Sequence, residues 1–167
     1  MPEELQGTRR GILTGDMKRV VREQRLAFVA TVNPDNTPNL SPKGTIAVFD
    51  DDHLVFANVR SPRTISNLRY NPAIEINVVD PFVRKGYRFK GTAVVLDAGA
   101  EFEAVTALFR ARGVSSPFSE VVLMTVERAV PVTSPAYDVG LSEAEIRNRW
   151  ERHYEALKRG NEEPTGE

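Results

Sequence analysis

The 167-residue chain carries 22 Lys and Arg against 23 Asp and Glu, a net charge of −1, so it lacks the basic surplus of a general polyanion binder and no nucleic-acid partner is expected. Cysteine is absent, which excludes disulfides, thiol redox chemistry and thiolate metal sites, and the two histidines, His53 and His153, are too few and too isolated for a histidine-rich metal site. The first residues lack an apolar leader core, and no apolar run approaches the roughly 18 residues of a membrane span, so a cytoplasmic protein without a membrane partner is expected.

Thr14 to Arg25 reads as a short helix, and Leu26 to Val32 (LAFVATV) as a strand closed by the N-P-D-N turn at Asn33 to Asn36. A second strand is expected from about Asn39 to Phe49. The acidic turn Asp50 to His53 then leads into a third, Leu54 to Asn58. Ser61 is a good N-cap, and Pro62 suits the first helical position. That helix should stop before Asn71-Pro72, since the residue preceding proline disfavours helical geometry.

Ala73 to Val79 alternates cleanly, with Ile74, Ile76 and Val78 on one face and Glu75 and Asn77 on the other. Tyr87 to Leu96 follows, its polar face carrying Arg88, Lys90 and Thr92. Ala98 to Arg112 has Phe102, Val105, Leu108 and Phe109 at helical spacing, with Gly113 as a stop signal. Glu120 to Val130 is a sixth strand. Ser142 and Glu145 then form a capping box, with Leu141 and Ile146 as the matching staple, and Ile146, Trp150, His153 or Tyr154, and Leu157 make one apolar stripe. On that stripe Trp150 is a packing residue. The last seven residues, 161–167, have the composition of a disordered tail. Residues 1–160 form one expected domain. Six strands, early hairpin turns and a few peripheral helices suggest a mainly β (α+β) protein, a six-stranded antiparallel barrel with peripheral helices, and argue against a doubly wound sheet.

Several chemistries lack their motifs. There is no G-x-G-x-x-G after a strand, no phosphate-binding G-x-x-x-x-G-K-[S/T], no G-x-S-x-G elbow and no H-E-x-x-H. The strongest positive constellation is Arg60, Ser61, Arg63 and Thr64 at a helix start. It could be an ordinary capped helix with solvent-facing arginines. Yet cations in a first turn are mildly unfavourable unless an anion is present, and the free N–H groups there suit a phosphate. Ser41-Pro42-Lys43-Gly44-Thr45 sits inside the second strand, where proline and glycine both weaken a ladder. This is either an edge strand with a bulge or a place where the backbone approaches a planar ligand while Lys43 supplies charge. Arg88 and Lys90 beside Gly91 are either a solvated strand face or part of the same site.

The order and spacing of four pieces resemble the FMN-binding split-barrel family related to pyridoxamine 5'-phosphate oxidase. They are P-x-L-S-P-K-G-T, the D-D-x-L-x-F-A hairpin, R-S-x-x-T-x-x-N-L-x-x-N-P, and R-x-K-G at Arg88 to Gly91. The resemblance spans roughly Leu26 to Val132, and the downstream S-P-A-Y-D is similar to one branch of that family. It implies a six-stranded antiparallel split β-barrel and a homodimer holding FMN at the subunit interface. Arg63 and Thr64, helped by Ser61 and Arg60, would hold the phosphate. Ser41, Lys43 and Thr45 would line the isoalloxazine edge, Asn58 would lie near the ribityl chain, and Lys90 would come from either subunit. A cation near the pyrimidine end would favour the anionic reduced flavin. The basic, histidine-bearing C-terminal motif of true pyridoxamine 5'-phosphate oxidases is missing, so that particular activity is not expected.

The resulting expectation is an FMN-dependent oxidoreductase that transfers hydride to or from a small organic substrate, with NADPH or NADH as candidate reductant. Its rivals are a non-catalytic flavin carrier or sensor and a deazaflavin-dependent reductase of the same fold.

Overall fold

The computed structural model describes residues 11–160; the expected tail 161–167 lies outside them. Seven strands form one antiparallel sheet: β1 (Ala27–Val32), β2 (Pro38–Lys43), β3 (Ala47–Val48), β4 (His53–Ala57), β5 (Ala73–Asp80), β6 (Lys85–Leu96) and β7 (Val121–Thr133). Four helices accompany it: α1 (Gly15–Gln24), α2 (Pro62–Tyr70), α3 (Ala100–Ala111) and α4 (Glu143–Lys158).

The spatial order is β2-β1-β5-β6-β7-β4-β3. β2 and β3 are consecutive in the chain yet occupy opposite edges, so residues 44–46 must span the gap between those edges. Four residues of extended chain reach at most about 14 Å. The sheet therefore curls until its edges nearly meet, which makes it a split barrel.

The count is seven strands, not six, because the segment expected as one strand from Asn39 to Phe49 breaks in the middle. Pro42 brings no ladder donor and Gly44 no packing side chain. The chain leaves β1 at Lys43 and joins β4 at Ala47 on the other side of the split.

Period-two alternation fills the interior. Val29, Ile76, Phe89, Met124 and Phe56 are fully buried inside the curl, joined by Val20 and Val21 of α1 and Ile65 and Leu68 of α2. The outward faces of β4 and β7 are also apolar. Val55, Ala57, Val121 and Leu123 pack against Val105 and Phe109 of α3 in a second cluster.

Gly91 marks a bulge between β6 and β7, where a Cβ would lie 2.0 Å from the Thr125 carbonyl oxygen; only glycine permits that approach. On α4 the capping box is formed in full, with Ser142 Oγ accepting from Glu145 N. Ile146 is buried, the Arg84 guanidinium stacks 3.4 Å from the Trp150 ring centroid, and Tyr154 meets Phe82 edge-on. Leu157, expected on the same stripe, stays exposed. Among the described residues, no helix is long and apolar enough to cross a membrane, and no group of three or more His, Asp or Glu could hold a metal ion.

Candidate functional site

The split brings the end of β2 and the adjoining residues 44–46 against the β4–α2 connection, whose Ser61 lies 18 positions beyond Lys43. The centre is Lys43. Strand alternation turns its side chain inward, leaving the residue only 4% exposed, with its ammonium 5.8 Å from the Phe56 ring centroid. The ammonium donates to Ser41 Oγ, to Ser61 Oγ at 2.7 Å, and more weakly to the Pro42 carbonyl at 3.4 Å. None of these partners is a carboxylate, and burial pushes the Lys43 pKa down.

The neighbouring residues fix the loop that enters α2. Thr45 Oγ1 accepts from Ala57 N at 3.0 Å, which extends the β3–β4 pairing into the bridging segment. Asn58 Oδ1 accepts from Ser61 N at 3.0 Å, while Asn58 Nδ2 donates to Glu120 at 2.8 Å. Glu120 also pairs with Arg69 near the end of α2.

Ser61 stands at the expected N-cap position, with Pro62 following. Its hydroxyl makes no capping bond, contrary to the role expected of it: the Ser61 backbone (φ −138°, ψ 59°) is not the extended N-cap geometry, and the hydroxyl accepts from Lys43 instead. Pro62 has no N–H, and among the described residues no protein acceptor takes the backbone N–H groups of Arg63 and Thr64. The first backbone bond of α2 runs from Ile65 N to Ser61 O.

The Arg60 and Arg63 side chains are exposed, and Thr64 is buried. Arg63 borders an open hollow of about 680 Å³ shared with Asn33, Asp35, Thr37 and Ser66. Hydrogen bonds from the Thr37 side chain and backbone hold the Asp35 carboxyl below its ordinary pKa, with a smaller contribution from Arg63.

Within one chain, Lys90 is not brought to this cluster. It lies exposed on the outward face of β6, in register between Glu75 and Arg128, beside a hollow of about 300 Å³ that contains no other expected site residue.

A buried polar network that the sequence reading missed locks α2 in place. Asn67, 2% exposed, donates to Thr31 Oγ1 at 3.0 Å and to Asn33 Oδ1 at 2.9 Å, and Asn39 donates to the same Thr31 hydroxyl. One signal was available: Asn67 falls three residues after Thr64 and next to Leu68, on the inward side of a short helix where asparagine has poor propensity.

The Lys43 environment carries a pH prediction. A lysine whose folded pKa is depressed binds fewer protons folded than unfolded as pH approaches the ordinary 10.5. Stability contributed by this group should therefore rise with pH up to that value. Lys43→Met should flatten the alkaline rise, measured as urea midpoints between neutral and alkaline pH. An unchanged slope would show that the ammonium is well solvated.

The comparisons agree with this architecture. Residues 13–133 match the family model described as pyridoxamine 5'-phosphate oxidase. The crystal structure of HupZ from Group A Streptococcus superposes with a TM-score of 0.67 at 34% identity, covering 74% of this chain and 96% of HupZ. Two more distant structures share the fold. An FMN-binding protein from Syntrophomonas wolfei has 15% identity and a TM-score of 0.54, covering 71% of this chain and 90% of that one. An F420 reductase has 17% identity and a TM-score of 0.56, covering 70% and 98%. No curated protein matches the chain. With the model spanning most of the curled sheet and a one-third-identical structure superposing on it, the chain belongs to the pyridoxamine 5'-phosphate oxidase-like split-barrel family.

Proposed function

We propose that the protein is a homodimeric FMN-binding oxidoreductase acting on a small organic substrate. The observation that carries this reading is the start of α2, where two backbone N–H groups find no protein acceptor among the described residues, next to two exposed arginines and to a hydroxyl held by a buried ammonium whose partners there include no carboxylate. A phosphate dianion suits that donor set. Arg60, Arg63 and the N–H groups of Arg63 and Thr64 would hold it, with Ser61 adjacent.

Ser41 and Lys43 at the lip of the split would face the ring system, with Thr45 and Asn58 shaping the wall through their backbone bonds. FMN, when bound, supplies hydride transfer at its N5, so the chain itself needs no nucleophile or acid–base dyad. NADPH or NADH is the candidate reductant.

Two features favour a dimer. Phe28 (46% exposed) and Leu40 (66% exposed) lie on the uncovered outward face of β1 and β2. Lys90 also faces outward, so as a cofactor contact it would serve the partner subunit's flavin. A covered face would protect these apolar groups and the sheet edge.

One experiment tests cofactor and assembly together: sedimentation of the purified, FMN-saturated protein followed at the flavin absorption band. Flavin travelling with a dimer is the expected result. Flavin left behind would sink the cofactor assignment, flavin travelling with a monomer at micromolar concentration would sink the interface, and a co-purified deazaflavin spectrum would favour the deazaflavin-dependent reductase.

A further inference from the structure

The outward face of the sheet holds a second group of convergent residues, centred on Lys90. The hollow of about 300 Å³ beside it has apolar walls from Ala30 and Val32 of β1, Pro38 of β2 and Ala73 of β5. A smaller hollow of about 160 Å³ is lined by Glu75, Arg88, Lys90, Arg128 and Val130. Lys90 and Glu75 line both, so the two adjoin, apolar at one end and basic at the other.

The charges at the basic end do not balance. Glu75 lies opposite Lys90 yet pairs with Arg88 at 3.0 Å, and Glu127 accepts from the Thr92 hydroxyl at 3.1 Å. Lys90 and Arg128 stand directly opposite each other on β6 and β7, and among the described residues neither pairs with a carboxylate. Like charges opposed on antiparallel strands are destabilising, and an anion between them removes the conflict. The register of β6 and β7 slips between Lys90 and Gly91, and such bulges re-aim side chains beside functional sites. A merely solvated charge pair needs neither the bulge nor an apolar hollow next to it.

We infer that these joined hollows bind a small organic anion with an apolar body, its acid group between Lys90 and Arg128 and its body against Ala30, Val32 and Pro38. Ligand pockets combine such apolar walls with a few convergent polar groups. The inference names the substrate class of the proposed oxidoreductase, and its link to redox chemistry rests on that reading. Ala30 shares the outward face of Phe28 and is paired with Leu40, so in the proposed dimer the partner subunit closes over the hollow. Lys90 then holds the acid near the partner subunit's flavin.

Ligand-detected NMR titration of the FMN-saturated protein at constant ionic strength tests this. The probes are benzoate, phenyl phosphate, neutral benzamide, and acetate, which lacks the apolar body. At least one aryl anion should bind saturably, about tenfold or more tighter than benzamide and acetate. Lys90→Gln and Arg128→Gln should each weaken it about tenfold, as should Ala73→Phe, which fills the apolar end. Arg110→Gln, at an exposed cation of α3, should change nothing. In the ligand-free protein at low ionic strength, Arg128→Glu should raise the urea midpoint, because an opposite charge then faces Lys90.

A lowered midpoint for Arg128→Glu would overturn the inference, as would benzamide binding as tightly as the aryl anions. So would the absence of saturable binding by either aryl anion, the result expected if the partner's own side chains fill the hollow. A protein that takes up no FMN, yet binds an aryl anion through Lys90 and Arg128, would instead sink the flavin reading and leave the anion site in place.

Discussion

Phe56→Ala is expected to lower the unfolding free energy by about 3–5 kcal/mol, the cost of deleting a fully buried aromatic and leaving a cavity. The position explains the size. Phe56 is on β4, opposite Val122 of β7 and inside the curl, at the point where a two-residue edge strand leaves little structure able to collapse into the void. The Lys43 ammonium near its ring adds a cation–π contribution of about 0.5–2 kcal/mol that alanine cannot supply. Phe56→Leu should recover most of the packing but none of the ring contact. Urea denaturation of the three proteins separates the two components, and a loss below about 1 kcal/mol for the alanine variant would mean that the barrel repacks freely around this position.

Arg63→Ala is expected to weaken FMN binding by about tenfold or more while changing riboflavin less than about twofold. A charge-assisted hydrogen bond contributes about 1.5–3 kcal/mol, and every 1.4 kcal/mol is a factor of ten. Riboflavin has no phosphate, so the difference between the two titrations isolates the group in question. In the ligand-free molecule Arg63 lies within the electrostatic reach of Asp35, so its guanidinium starts near a weak, solvent-exposed alternative partner. Parallel losses for both ligands would move the phosphate away from α2.

Local pattern made most of the framework readable. Ile74, Ile76 and Val78 are buried as their alternation required, and the Ser142–Glu145 box formed as its spacing required. These depend on residues a few positions apart. The strand through Ser41 to Thr45 was read as continuous because its β propensity persists on both sides of Pro42. Its division shows only when Ala47 is seen to pair with Val55 on the far edge.

The capping of α2 was misread for a similar reason. Ser-Pro is locally a good cap, but the Ser61 backbone departs from the extended N-cap geometry, and its hydroxyl meets Lys43 from 18 residues away. Glu120, which holds Asn58 from 62 residues away, and the Asn67–Thr31 contact depend on how the sheet curls, which no window of sequence contains.

Residues 44–46 join the two lips of the split directly, and that join turns an angular property into a length. In an open sheet, curl follows from strand twist and side-chain packing, and it can relax gradually. Here the distance between β2 and β3 can never exceed what a few extended residues span, so this segment sets an upper limit on the aperture. Gly44 has open space around its missing Cβ, so a side chain can be carried at this point without a steric clash. The polar side chains around the split are strung along this tether and past it: Lys43 just before it, Thr45 within it, Ser61 beyond β4. Its length is thus the dimension along which a related sequence could admit a thicker or thinner planar ligand, with Ile46, fully buried within the tether, as the packed residue that must keep its place.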